Sequence, residues 1–201
     1  LVNVDFLMMS ATPIPRTYAH FIYGNMEISN IHTLPKGRKP VITKFVESNS
    51  MKPILKEVLE GIEQGRQCYV VTPAIEDNED TTLRSAQSIY EGMKQTFKNK
   101  LRLGILHGKM NSDEKEEVMN HFAAGEIDIL VSTTVIEVGI DVKNATLMVI
   151  YDDHRSGLST LHQLRGRVAR GQDQGYCYLM SSTQDSQAKQ RLKKLETVTD
   201  G

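Results

Sequence analysis

Short apolar runs rich in β-branched residues alternate along this chain with amphipathic helical stretches, and no other feature of the sequence constrains the fold as strongly. Most of these runs are continuously apolar, which favours strands that are buried on both faces of a sheet. Alternating strands and helices form right-handed crossovers, so the pattern predicts an α/β fold with a mostly parallel sheet between two helical layers. The predicted strands are Val4–Met9, Val41–Glu47, Gln67–Thr72, Leu103–Leu106, Ile127–Ser132, Ala145–Tyr151 and Gly175–Met180.

The predicted helices begin and end at recognisable capping residues. Asn111 can cap the third helix, Glu114 stands where a capping box places its carboxylate, and Gly125 ends that helix. The acidic segment over 76–80 is expected to be a solvated loop. The predicted helices are Met51–Gln64, Thr82–Lys98, Asn111–Ala124, Ser159–Val168 and Asp185–Thr197.

The first forty residues break this alternation. A strand so near the start, with no helix before it, is typical of the end of an earlier domain, and residues 34–40 have the composition of a linker. We therefore predict that residues 1–35 are the tail of a preceding domain, that 36–40 are a linker, and that 41–201 form a complete domain.

Composition excludes several classes of protein. The 201 residues carry a net charge of −1, which excludes a globally basic nucleic-acid-binding domain but leaves room for a local basic stripe. No apolar run approaches the roughly 18 residues of a membrane span, so we expect no membrane association. The two cysteines, Cys68 and Cys177, cannot build a disulfide framework. We expect both to be buried free thiols in a reducing, cytoplasmic setting.

The stretch from Gln163 to Gly171 contains three arginines within six residues. On a helix, Arg167 and Arg170 would point from one face, and two adjacent guanidinium groups suit a polyphosphate. A basic helix face that pairs with carboxylates is the alternative. Residues 155–201 hold eight Lys and Arg against four Asp and Glu, so such partners are scarce and phosphate binding is favoured.

A second candidate site follows the apolar run that ends near Ser132. Thr133 and Thr134 come next, and Gly139 and Asp141 lie a few residues further on. Hydroxyls and backbone N–H groups after a strand can bind phosphates, and an aspartate in such a loop can accept a hydrogen bond from a ribose hydroxyl. An ordinary strand-to-turn transition explains this pattern equally well.

A third candidate, His107-Gly108-Lys109, follows another predicted strand. Gly104 with Gly108-Lys109 partly matches a phosphate-binding Walker A loop. However, three residues rather than four separate the glycines, and Met110 replaces the required hydroxyl residue, so we reject that reading. The six histidines show no metal-ligand spacing, and we predict no metal site.

Together these motifs resemble those of superfamily 2 helicases, in the same order. Ser10-Ala11-Thr12 resembles motif III, residues 130–142 resemble motif V, and Gln163-x-x-Gly166-Arg167-x-x-Arg170 resembles motif VI. His107-Gly108 is similar to the loop between motifs IV and V. The resemblance implies that residues 1–35 end a first lobe and that 41–201 form a second, RecA-like lobe. This lobe would be a three-layer sandwich and would carry the start of a C-terminal helical element.

Longer stretches resemble the RecG-type helicases of bacteria. This resemblance implies a cytoplasmic, ATP-dependent DNA helicase that remodels replication forks and Holliday junctions. Its partners would be branched DNA and the first lobe and wedge domain of the same protein, with ATP and Mg²⁺ bound mainly by the first lobe. The stretches are Ser10–Thr17, Leu34–Pro40, Thr133–Val142 and Leu161–Arg167.

Two alternatives remain at this point. The transcription-repair coupling factor Mfd shares residues 10–16 and the core of motif VI, but fits the linker less well. A non-enzymatic RecA-like module that binds DNA or protein is the other, and the chain alone lacks a Walker A loop and is expected not to hydrolyse ATP. Ala169, where the family usually has Gly, and Ser156, where an aromatic is common, depart from the family pattern.

The resemblance also implies a role for each candidate residue. Arg167 and Arg170 would contact the γ-phosphate of ATP, and Gln163 would help to order them. Gly139 and Asp141 would lie on the ribose side. The implied DNA-binding residues are His107, Gly108, Thr133 and Thr134, and the residues implied to couple the lobes are Ser10, Ala11 and Thr12.

Overall fold

The computed structural model describes residues 7, 9, 29, 36–72, 78–133, 142–151, 158–168 and 171–197. Within them, six strands form one sheet in the spatial order β1-β6-β5-β2-β4-β3, and every neighbouring pair is parallel. The parallel α/β prediction is confirmed. The strands are β1 (Ile42–Val46), β2 (Gln67–Thr72), β3 (Leu103–Leu106), β4 (Ile129–Thr133), β5 (Ala145–Tyr151) and β6 (Tyr176–Met180).

Helices cover both faces of this sheet, and the sheet separates two hydrophobic cores. One core packs Cys68, Val70 and Val131 against the helices before and after β2, and the other packs Met148 and Leu179 against the remaining three helices. β2 is buried along its whole length, as a continuously apolar central strand requires. The helices are α1 (Leu55–Glu63), which follows a 3₁₀ turn over Lys52–Ile54, α2 (Glu79–Phe97), α3 (Ser112–Ala123), α4 (Leu158–Arg165) and α5 (Ser186–Thr197).

Two local predictions are confirmed, the capping box at Asn111 and the burial of both cysteines. The Asn111 side chain accepts from the Glu114 amide at 2.9 Å, and the Glu114 carboxylate accepts from the Asn111 amide at 2.8 Å, which completes the capping box. Cys68 and Cys177 are buried free thiols. Among the described residues, no helix combines the length and the apolar character needed to cross a membrane. The predicted strand Val4–Met9 lies almost wholly outside the described residues.

The start of α2 corrects the sequence prediction. The helix begins at Glu79 rather than Thr82, because the Asn78 side chain accepts from the Thr81 amide at 3.1 Å and caps it. Glu79 and Asp80 therefore lie in the first helical turn, where the positive end of the helix dipole favours acidic side chains. The prediction of a solvated loop is wrong for these two residues.

The end of α4 is a second correction. The predicted helix reached Val168, but α4 ends at Arg165, and the chain then tightens into a turn. The Arg167 amide donates to the Leu164 carbonyl at 3.0 Å and the Val168 amide to the Arg165 carbonyl at 3.1 Å, both three residues back. Arg167 therefore follows the helix instead of lying on it, so the premise that places Arg167 on a helical face is wrong. Arg170 lies outside the described residues.

A buried glutamine fastens α3 to the sheet. Gln67 begins β2 and is 4% exposed, and its Nε2 donates to the carbonyls of Phe122 at 2.6 Å and Ile127 at 2.8 Å. Its Oε1 accepts from Asn144 Nδ2 at 3.2 Å. One side chain thus joins the end of α3, the loop that follows it, and the start of β5.

We predict that Gln67→Leu lowers the free energy of unfolding of the chain by about 1–3 kcal/mol, because an isosteric apolar side chain leaves buried carbonyls without their donor. Urea denaturation followed by circular dichroism measures the change. Gln95→Leu, on the exposed side of α2, is the matched control and should change stability by less than about 0.5 kcal/mol. Equal stability of the two variants would contradict this role for Gln67.

Candidate functional site

The parallel sheet gives the molecule two distinct edges, since all strands end at one side and begin at the other. We call them the carboxyl edge and the amino edge. His107, Gly108 and Thr133 lie at the carboxyl edge, where β3 and β4 end. Gln163 is exposed on α4. Arg167 follows the end of α4, at the amino edge. The remaining candidates fall outside the described residues: Ser10, Ala11, Thr12, Thr134, Gly139, Asp141 and Arg170.

Three polar side chains form a row across the carboxyl edge, and we call Thr72, His107 and Thr133 the strand-end row. Thr72 and Thr133 are direct partners in the β2–β4 pairing. Leu106 pairs with Ser132, so His107 comes next to Thr133. The alternation of side chains along a strand places all three toward the face that α2 covers.

Each member of the strand-end row has a buried polar atom that has no hydrogen-bond partner among the described residues. These atoms are Thr72 Oγ1, Thr133 Oγ1 and His107 Nδ1. Both threonines are only 5% exposed. An unsatisfied buried polar group costs about 1–3 kcal/mol, so native structures rarely retain several together without a reason. Three on adjacent strand ends indicate a site for a hydrogen-bonding partner.

Sequence reasoning missed Thr72. A hydroxyl that ends an apolar run was visible at this position, as it was at Thr133, but only the strand register shows that the two residues are neighbours. Thr72 and Thr133 are 61 positions apart in the chain. The shared signal is a threonine that closes a mostly apolar, fully buried strand at its carboxyl end.

Beside the strand-end row lie a helix N-terminus and an ion pair. The N-terminus of α2 opens at this edge, with the positive end of a 19-residue helix. Lys109, just beyond β3, forms an ion pair with Asp80 of the first turn of α2. The Lys109 ammonium holds the pKa of the Asp80 carboxyl below its ordinary value. Hydroxyl donors beside a helix N-terminus are suited to the oxygens of a phosphate group.

At the amino edge, the described parts of residues 166–175, which we call the arginine loop, are held by neighbouring segments. Arg66 forms two hydrogen bonds to the Asp173 carboxylate, at 2.8 and 3.0 Å. A Cβ built on Gly171 would lie 3.6 Å from the Cβ of Lys143. Gly171 and Lys143 stand directly after the motif VI stretch and the motif V stretch, so the ends of both stretches meet at this edge.

Of the three clustered arginines, Arg165 has a structural role. It is 6% exposed, and it donates to the Leu195 carbonyl at 2.8 Å and meets His162 Nδ1 at 2.9 Å. Burial lowers the pKa of its guanidinium. It joins α4 to the C-terminal end of α5, where helix carbonyls favour a cation. The candidates for phosphate contact therefore narrow to Arg167 and Arg170.

The described residues also bear on metal binding. Among them, no group of three or more His, Cys, Asp or Glu side chains is arranged to hold a metal ion.

Comparison with known proteins agrees with this architecture. The ATP-dependent DNA helicase RecG of Bacillus subtilis strain 168 is 45% identical over 197 residues, which cover 98% of this chain and 29% of that protein. The RecG protein of Staphylococcus aureus strain Mu50 is 47% identical over 198 residues, with the same coverage. This chain therefore spans less than a third of the length of these curated relatives.

Solved structures show the same fold. A RecG structure bound to a three-way DNA junction superposes with a TM-score of 0.80 at 43% identity, covering 98% of this chain and 26% of that one. Yeast Dbp5 bound to RNA and ADP BeF3 superposes with a TM-score of 0.62 at 20% identity, over 94% of this chain and 47% of that one. The second likeness concerns the fold alone, which is RecA-like.

The family of this chain follows from a match to a protein-family model. The model of the helicase conserved C-terminal domain matches residues 49–172, which include the four strands β2 to β5 and all of α1 to α4. The match contains the strand-end row and Arg167, so both candidate sites belong to the conserved unit. This chain belongs to the helicase conserved C-terminal domain family.

Proposed function

We propose that this chain is the second motor lobe of a RecG-like, ATP-dependent DNA helicase that acts on branched DNA. The observation that carries the proposal is the strand-end row, with its three buried polar atoms that lack a partner at one edge of the sheet. The alignment with RecG proteins over 98% of the chain favours this group over the transcription-repair coupling factor. Branched DNA is supported by the similar RecG structure that is bound to a three-way junction.

The strand-end row is assigned to the DNA backbone. The hydroxyls of Thr72 and Thr133 and the His107 ring can donate hydrogen bonds to phosphate oxygens, and Gly108 lets the backbone come close to a strand of DNA. Contacts of this kind do not depend on base sequence. They suit a motor that has to move along any sequence, and Thr134 is assigned to the same interface.

The arginine loop is assigned to ATP. Arg167 and Arg170 would reach across the cleft between lobes and stabilise the charge that develops on the γ-phosphate. Gln163 would help to order them, and Gly139 and Asp141 would contact the ribose side. We assign the Walker A contacts and the Mg²⁺ to the first lobe, as the resemblance to superfamily 2 helicases implies.

Hydrolysis would be coupled to movement by closure and opening of the cleft, with Ser10, Ala11 and Thr12 at the junction of the two lobes. The partners in this proposal are the first RecA-like lobe and the wedge domain of the same protein. We assign the motor to the bacterial cytoplasm, because the RecG proteins that it resembles are bacterial.

We predict that Arg167→Ala and Arg170→Ala, each made in the full-length protein, lower DNA-stimulated ATP turnover by about 10³-fold or more, the contribution typical of an arginine finger. Affinity for branched DNA should change by less than about threefold, because the strand-end row lies at the opposite edge. A coupled ATPase assay and fluorescence anisotropy measure the two quantities. Turnover within a few-fold of wild type would contradict the assignment of the arginine loop.

We also predict that Thr72→Val and Thr133→Val each weaken DNA binding by about tenfold, the loss of one hydrogen bond to a charged group. The same substitutions should leave the melting temperature unchanged or raise it, because valine keeps the shape of threonine and removes an unsatisfied buried hydroxyl. Fluorescence anisotropy and differential scanning calorimetry measure these effects.

Thr183→Val is the matched control for that pair. Thr183 is a buried threonine that follows β6, and its hydroxyl accepts from the Asp185 amide at 3.2 Å. Valine should lower the melting temperature there and leave DNA affinity unchanged. The DNA assignment fails if Thr72→Val and Thr133→Val lower the melting temperature as Thr183→Val does while DNA affinity stays at the wild-type value.

A further inference from the structure

We propose that Arg38 is a positioning residue for the arginine loop and that it acts through the peptide group that precedes Arg167. Arg38 lies in the connector, residues 36–41, which leads into β1. This inference rests on the proposed function, in which Arg167 contacts ATP. Arg38 itself is assigned no contact with nucleotide or DNA.

The Gly166–Arg167 peptide group is held at both of its polar atoms. Arg38 Nη2 donates to the Gly166 carbonyl at 3.0 Å, across 128 positions of sequence. The Arg167 amide, on the other side of the same planar unit, donates to the Leu164 carbonyl at 3.0 Å. Because a peptide group is rigid, these two bonds fix the plane from which the Arg167 side chain departs.

The location of this carbonyl suits an arginine. Gly166 directly follows the last residue of α4, so its carbonyl lies at the negative end of the helix dipole. Cationic side chains are favoured at that end, and a guanidinium group can direct a hydrogen bond at a carbonyl with defined geometry. Arg38 is half-buried in this contact. A side chain from the connector therefore completes the end of α4.

The rest of the connector follows the arginine loop to its end. A Cβ built on Gly37 would lie 3.4 Å from Gln172 Nε2, and Gly37 has a φ of +86°, which favours glycine. Gln174 Nε2 donates to the Pro40 carbonyl at 2.7 Å, and the Ile42 amide donates to the Gly175 carbonyl at 2.9 Å. The connector thus lies beside the loop at Gly166, Gln172, Gln174 and Gly175.

This arrangement links the position of the lobes to the arginines. In the proposed function the connector joins the first lobe to the second, so a change in their relative position pulls on the segment that contains Arg38. The bond to Gly166 passes that change to the peptide group that carries Arg167. The same bond holds Arg167 ready for the γ-phosphate when the cleft is closed.

The test uses the full-length protein with three single variants: Arg38→Ala, Arg38→Lys and the matched control Lys39→Ala. Lys39 neighbours Arg38, is exposed, and carries the same charge. We expect Arg38→Ala to lower kcat for DNA-stimulated ATP hydrolysis by about tenfold, the effect of a misplaced catalytic group. KM for ATP and affinity for branched DNA should stay within about twofold of wild type, and the melting temperature within about 1 °C. Lys39→Ala should change none of them, and Arg38→Lys, which keeps a donor and the charge, should recover part of kcat.

A double variant separates positioning from general damage. If Arg38 acts through Arg167, Arg38→Ala lowers turnover no further in an Arg167→Ala background. Single-turnover assays with excess enzyme measure these low rates. An equal loss of turnover in both backgrounds would overturn the inference. It would also be overturned if Arg38→Ala lowered both kcat and the melting temperature and Arg38→Lys did not recover kcat. Wild-type kcat for Arg38→Ala would overturn it as well, and that result leaves the proposed function intact if Arg167→Ala is inactive. Wild-type turnover of Arg167→Ala would instead remove the proposed function itself.

Discussion

The parallel, in-register pairing of β2 with β4 is the constraint on which the rest of the structure depends. It sets Thr72 opposite Thr133 at the carboxyl edge, and β3 extends the row to His107. A slip of one residue in either strand would turn its side chains to the other face of the sheet. The pairing is enforced by burial, because every residue of β2 and β4 is inaccessible to solvent or nearly so. The apolar core thus fixes the geometry of a polar site.

The two proposed sites lie at opposite edges of one sheet, an arrangement that would suit the motor function proposed for this chain. A strand of five to seven residues separates the edges by about 16–23 Å, and α4, which has eight residues, covers about 12 Å of the path to the arginine loop. Arg165 anchors α4 through the Leu195 carbonyl and, more weakly, through Thr43 Oγ1 at 3.4 Å. The helix that precedes the arginine loop is therefore held rigidly against α5 and β1. A ligand at either edge would therefore contact the same rigidly packed domain.

Much of the fold could be predicted from the sequence, because continuous apolar runs and capping residues act locally. The six strands within the described residues and the capping box at Asn111 follow from such patterns. What the sequence could not reveal depends on contacts between distant residues. The end of α4 is completed by Arg38 from the connector, and the partnership of Thr72 with Thr133 exists only in the folded sheet. A linker composition at 36–40 gave no sign that the segment packs along the arginine loop.

In the proposed function, the carboxyl edge of the sheet binds DNA and the amino edge binds nucleotide. Amide hydrogen exchange of the full-length protein, measured free, with a branched DNA, and with a non-hydrolysable ATP analogue, tests it most directly. The account predicts that DNA alone slows exchange in the peptides that contain Thr72, His107 and Thr133. The ATP analogue should slow exchange in the peptides that span 166–175. Protection of the arginine loop by DNA alone, with the strand-end peptides unchanged, would contradict the account.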